Sequence, residues 1–293
     1  MEGTTLKIKT DWTAHLHEYR RREIEMIFSR CPDGLFASGL ELGAGDGFQS
    51  RLLARYVTRL TATDLDGSQL PPSPTGAIVY RACDAEHLED LFTPGQLDVI
   101  FSSNLLEHLP EPSRALRAIH QVLADDGVTI HVMPSPFWVL CHLCLYIPNK
   151  VVQVLEILTS QGGLARAGGR LAGRGRSGAL SSGERPLGNN PKLAPRPRPA
   201  LVRWLTPEPH GVSPTHWREL HAFRRSRWEE EFRLSGLKLI RVVKGPVASG
   251  YGFGFNRLRR ILEGLGFASE YIYVACKEPS ACRYAAWLGP ETS

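Results

Sequence analysis

Apolar positions in the first half of the chain come in short blocks separated by turn residues. The blocks alternate between two periods. Gly39-Leu40-Glu41-Leu42, Arg59 to Thr63 with Leu60 and Ala62 inward, Ala77-Ile78-Val79-Tyr80, Leu97 to Ser102 and Gly127 to Met133 read as short buried strands. Between them, Phe48 to Val57 sets Leu52, Leu53, Tyr56 and Val57 on one side of a helix, and a helix from about Ser113 to Ala124 has Leu116, Ile119, His120 and Leu123 at helical spacing. That helix is expected to stop at Asp125-Asp126-Gly127, with Gly127 as its C-terminal cap. Strands alternating with helices at this pace predict a parallel sheet covered on both faces. Farther on, Trp217 to Ser235 predicts one or two helices with Trp228 and Phe232 four apart, and Leu237 to Val243 and Tyr271 to Cys276 predict two more strands. Between those strands, 246–268 reads either as a flap over a pocket or as a packed loop.

One junction in this pattern carries chemistry. The strand ending at Glu41-Leu42 runs into Gly43-Ala44-Gly45-Asp46-Gly47, and the helix from Phe48 follows at once. Glycines let the backbone approach a ligand closely, and a helix start presents free N–H groups. Asp64 ends the next strand, 64 − 45 = 19 residues past Gly45, near the spacing of roughly 20 at which an acid meets a ribose hydroxyl pair. The dinucleotide fingerprint G-x-G-x-x-G is not met, because Phe48 stands where its last glycine would fall.

With Glu41 two places before the first glycine, the stretch resembles the first motif, E/D-x-G-x-G-x-G, of the class I S-adenosylmethionine-dependent methyltransferases. The resemblance covers about residues 20–135. It implies a Rossmann-like, doubly wound α/β fold: a seven-stranded, mostly parallel sheet with one antiparallel strand near the C-terminus. It implies S-adenosylmethionine as cofactor. Gly43, Gly45 and Gly47 would pass under its methionine part, with Glu41 supporting the turn or reaching the amino group. Asp64, followed by Leu65, would accept from both ribose hydroxyls; the alternative for Asp64 is a helix N-cap. Asp84 and the Ala85 backbone would read the adenine amine, unless Asp84 only closes a turn. Ser103 and Asn104 would line the floor near the reactive methyl, at the strand ends where open α/β sheets bind ligands. Residues 1–135 are read as the cofactor-binding core, 136–225 as an insertion with helical and disordered parts, and 226–293 as the completion of the same domain.

Charge changes the picture in one place. The net charge is +5, but 161–200 holds eight Lys/Arg against one acid, which leaves the remainder at 5 − 7 = −2. That segment also has nine Gly and five Pro and too little apolar content to fold alone. A basic segment suits RNA, DNA or an anionic membrane surface, the lack of aromatic residues to stack on bases weakens the nucleic-acid reading, and the alternative is a solvated insertion with no specific role. Just before it, Phe137 to Ile147 is apolar except for His142, and Pro148-Asn149-Lys150 interrupts the run. Eleven residues fall short of the ~20 that span a bilayer, so the run is a core helix, a pocket wall or an interfacial segment. Cys141 and Cys144 within it read as core thiols. Six unevenly spaced cysteines, and a start at Met1-Glu2-Gly3-Thr4 without a charged-then-apolar layout, point to a reducing, cytoplasmic setting, with peripheral contact at the inner face of a membrane as its extension.

An activated methyl group leaves the protein to align the acceptor and, for an oxygen acceptor, to remove its proton. His108, His131, His210, His216 and His221 are candidate bases. His108 follows the fourth strand and His210 lies in a loop able to close over the pocket, so these two are preferred. No Asn-Pro-Pro-Tyr-like motif and no zinc cluster is read, and no metal is assigned. What remains is O- or C-methylation of a small or lipid-like acceptor. Two readings of other classes stay open: a nicotinamide-dependent oxidoreductase, and a cofactor-binding scaffold acting through the basic segment.

Overall fold

The computed structural model describes residues 11–72, 76, 78–159, 207, 209–210, 213, 215–248, 250–253 and 255–289. The basic segment 161–200, most of the loop 204–211, Ala77 and Gly254 lie outside the described residues.

The strands are β1 (Phe36–Leu42), β2 (Val57–Asp64), β3 (Ile78–Ala82), β4 (Leu97–Ser103), β5 (Leu123–Pro134), β6 (Leu237–Lys244) and β7 (Glu270–Lys277). They form one sheet in the order β3-β2-β1-β4-β5-β7-β6. The first five pair in parallel, and β7 runs antiparallel to both β5 and β6. The predicted fold class is therefore observed, and the last two strands complete the same sheet that carries the glycine turn.

Helices cover both faces, as a parallel sheet requires. On one face α3 (Pro112–Val122) and α6 (Arg225–Leu234) bury Leu116, Ile119, Trp228 and Phe232 against the sheet. On the other, α1 (Trp12–Phe28), α2 (Phe48–Leu53) and α8 (Ala285–Leu288) bury Ile24, Ile27, Phe28, Leu53 and Leu288. Three further helices are α4 (Pro136–Thr159), α5 (His216–Ala222) and α7 (Asn256–Gly264).

Four local expectations are corrected. The helix after the glycine turn ends at Leu53, because Val57 opens β2 opposite Phe36. Helix α3 ends at Val122: Leu123 turns extended and pairs with Leu97, fully buried in the sheet. Gly127 is thus a strand residue rather than a helix cap; a Cβ there would come within 3.0 Å of the Asp98 carbonyl oxygen, so close backbone approach explains the glycine. Asp125 and Asp126 point outward to Lys277 and Arg283. The apolar run after β5 does not stop at Pro148. It continues as a single helix to Thr159, with Tyr146, Asn149 and Val152 buried on either side of the proline. Cys144 is exposed and Cys141 only partly buried, so that pair is not a core pair; all six cysteines are free thiols.

Candidate active site

The glycine turn is drawn tight by backbone bonds. Gly43 and Ala44 N–H both donate to the Thr63 carbonyl, at 2.8 and 2.9 Å, which ties the end of β1 to the end of β2. Gly45 and Gly47 sit at φ +52° and +70°, where a side chain is strained. They need glycine for different reasons. A Cβ on Gly47 would strike the Tyr80 hydroxyl at 2.5 Å and Pro71 at 2.8 Å, whereas a Cβ on Gly45 would meet nothing within 4 Å. The turn therefore presents an open cradle on the Gly45 side.

Asp64 borders that cradle. One carboxylate oxygen accepts from Gly45 N–H at 3.0 Å and the other from Asp66 N–H at 3.3 Å. Asp64 thus both fixes the turn and keeps lone pairs for a ligand; the N-cap of the following turn is Asp66 instead. Glu41 is buried behind the turn, and burial lifts its carboxyl to about 7 against the pull of the nearby Ser50 hydroxyl and Arg20. Leu65 is exposed and lines a cleft of about 320 Å³ with Cys83, Asp84 and Leu91, between the ends of β2 and β3. Asp84 closes a turn by accepting from Glu86 N–H at 2.9 Å, which commits one of its two oxygens. The Ala85 side chain packs into the core.

At the end of β4, Ser103 is not a bare floor residue. Its hydroxyl donates to Glu23 at 2.8 Å and accepts from Arg20 and from the Asn104 amide. Gln49 bridges the same two charges, accepting from Arg20 at 3.2 Å and donating to Glu23 at 3.0 Å. Glu270, at the start of β7, lies at this same sheet end opposite Pro134. Burial, then the charge of Glu23, pushes the Glu270 carboxyl well up, and burial also raises that of Glu23. Burial alone would weaken Arg20, but Glu23 and Glu270 outweigh it and hold it cationic. Sequence reasoning missed this network because α1 was not read. The available signal was Arg20 and Glu23 standing in line with Ile24, Ile27 and Phe28, charges on an apolar stripe.

The fold brings the two preferred histidines together. His108 stands in a single helical turn, Leu106–His108, just past β4, and His210 reaches it from 102 positions downstream, with ring centroids 4.5 Å apart. Donor atoms of Glu107, His108 and His210 all lie within 4.8 Å of one another, a spacing a divalent cation can bridge. That donor set was invisible as sequence spacing. Buried Glu219 holds the His210 backbone N–H at 2.8 Å and the His216 ring at 2.9 Å. Trp138 of α4 packs on His210 at 4.7 Å and on His142 at 5.0 Å, and His142 bonds the Tyr251 hydroxyl at 3.0 Å.

The other three candidate bases have partners of their own. His131 is fully buried between Ser102 (2.7 Å) and Thr129 (2.6 Å), and burial depresses it to about 3. His216 is held by Glu219 and the Pro207 carbonyl, and His221 packs edge-on to Trp217. Phe48, where a dinucleotide site would have its third glycine, stacks on His17 at 3.8 Å.

Sheet order, glycine turn and acid-ended β2 together make a Rossmann-like fold of the methyltransferase type. Residues 40–131 match the family model described as "Methyltransferase domain". The ubiquinone biosynthesis O-methyltransferase of Pseudomonas aeruginosa (strain UCBPP-PA14) is 31% identical over 94 residues, 30% of this chain and 40% of that protein. The protein of the same name from Aeromonas salmonicida (strain A449) is 29% identical over 119 residues, 38% of this chain and 49% of that one. The chain thus spans less than half of the curated relatives it matches. Among solved structures, a chain of the complex between the Haloferax volcanii Trm112 methyltransferase activator and a methyltransferase superposes with TM-score 0.52 at 11% identity, over 90% of this chain and 92% of that one. That likeness speaks to the fold alone.

Proposed function

We propose that this protein transfers a methyl group from S-adenosylmethionine to an oxygen, or a carbon, of a small, apolar or membrane-presented acceptor, with the His108–His210 pair managing the acceptor proton. The observation that carries this reading is the 4.5 Å approach of those two rings beside the carboxyl end of β4. Ligands of open α/β sheets bind at that end.

Bound there, the cofactor would supply a methyl already activated for displacement. The chain's residues do the rest. Gly45 leaves room for the cofactor's methionine part, Asp64 offers carboxylate lone pairs to the ribose hydroxyls, and Arg20 offers a cation to a carboxylate. Leu65 and Asp84 line the cleft offered to the adenine, with Ala85 next to Asp84 in the chain. Glu107 stands 3.8 Å from the His108 ring. Glu219 keeps His210 in place against it. Trp138 and Phe223 close the apolar side around His210, which suits an apolar acceptor and excludes water. The O-methyltransferase names of the relatives support an oxygen acceptor.

The test is methyl transfer from labelled S-adenosylmethionine to a panel of phenols, catechols, quinols and amines. Labelled methyl ethers are expected, and His108→Ala and His210→Ala should each lower turnover about 10²- to 10⁴-fold while cofactor affinity holds. Methylation confined to amines, or full turnover in both variants, would overturn the reading. Cofactor binding without turnover on any acceptor would favour the scaffold.

A further inference from the structure

Two helices turn apolar stripes outward. On α4, Leu140, Ile147, Val151 and Leu155 are exposed, while Val139, Tyr146, Asn149 and Val152 on the opposite side are buried in the domain. On α7 no residue is buried, and Leu258 (52% exposed), Ile261 (60%) and, at the helix's C-terminal cap, Leu265 (70%) recur at helical spacing on one side. The stripes meet where Phe137, one turn before Leu140, stacks on Phe267 at 4.8 Å, two residues past Leu265. Single exposed apolar residues are ordinary; a continuous face across two elements marks a contact surface.

We infer that this α4–α7 face docks on an anionic lipid bilayer, lying in its interface rather than crossing it. Helix α4 is long and apolar enough to cross, with mean hydropathy 1.3 over Pro136–Leu155. Its inner side, however, is fixed to the catalytic domain through Tyr146, Val152 and the His142–Tyr251 bond. A helix held that way has only its outer stripe to offer, which is the in-plane geometry. Charge selects the occupant. Arg257 is exposed beside the α7 stripe and Arg260 on the far side of the same helix, neither with an acidic partner among the described residues, and the sequence after α4 carries eight Lys/Arg and one acid over 161–200. Anionic headgroups match that charge. A second copy of the chain would bring two sets of arginines together.

The inference deepens the proposed function by naming the surface that presents the acceptor. Trp138 and His142, on the inner side of α4, contact His210 and Tyr251, so the docked helix is also a wall of the candidate active site. The test uses the full chain in flotation with phosphatidylcholine vesicles, with and without phosphatidylglycerol. Wild type should partition to the mixed vesicles, less so in high salt. Leu258→Ser with Ile261→Ser should weaken that partitioning roughly a hundredfold. No partitioning by wild type, or equal partitioning by the variant, overturns the docking. So does a wild-type dimer in sedimentation velocity that the variant dissolves, which would assign the face to a second copy. Titration of both proteins with S-adenosylmethionine separates the two ideas: lost cofactor binding with retained vesicle binding sinks the enzymatic reading alone, and the reverse sinks the docking alone.

Discussion

Glu41 offers a test of the glycine turn that needs no acceptor. Its carboxyl is buried behind the turn and its pKa stands at about 7 instead of 4.5, chiefly through burial. A raised folded-state pKa means that the native state holds a proton that the unfolded chain has already released. The contribution is fully present below about pH 4.5 and is lost as pH rises through 7. At 1.36 kcal/mol per unit, ionisation at alkaline pH costs the fold about 3 kcal/mol. Glu41→Gln removes the titration and keeps the shape. Relative to wild type, it should gain about 2.5 kcal/mol between about pH 5 and about pH 8, since other groups titrate alike in both proteins. Urea unfolding of the pair at the two pH values measures this directly. A stability difference that does not change with pH would show that Glu41 is solvated or paired, and the account of the turn would fail.

Asp64→Ala should weaken S-adenosylmethionine binding by about 2 kcal/mol and also cost about 1 kcal/mol of stability, through loss of the Gly45 N–H bond. Calorimetric titration and urea unfolding read the two effects, and unchanged affinity would remove Asp64 from the cofactor site. Gly45→Ala and Gly47→Ala should part company. The first strains the backbone by about 1–2 kcal/mol and fills the cradle, so binding suffers most; the second also collides with Tyr80 and Pro71, so stability suffers most. Equal stability losses in thermal unfolding would contradict that contrast. Trp228→Ala should cost about 3–5 kcal/mol, because the side chain is fully buried against the sheet; a loss under about 1 kcal/mol in the same assay would mean that this core is looser than it looks.

Much of this protein was written locally. The strands that flank the glycine turn, the acid that ends β2, and the alternation that makes a parallel sheet are consequences of residue periodicity, and short-range geometry enforces them. Phe48 and Glu41 spoke against a dinucleotide for the same reason: spacing from the glycines is a sequence property. Where the local reading failed, a distant partner had intervened. Leu123 left its helical pattern because Leu97 offered a strand to pair with. Helix α4 passed through Pro148 because residues on both sides found burial against the domain.

The candidate site itself was only half legible. The glycine turn lies within one strand-turn-helix unit and the strands beside it, so spacing could point to it. The histidine side is assembled from β4, α4 and the residues around His210, and no spacing rule spans such separations. The Arg20–Glu23–Ser103 network, the meeting of His108 with His210, and the outward stripes of α4 and α7 exist only because folding decides which side of each helix finds a partner. The sequence determined which residues are apolar and which can carry a proton; the tertiary structure decided which of them face one another and which are left to face outward.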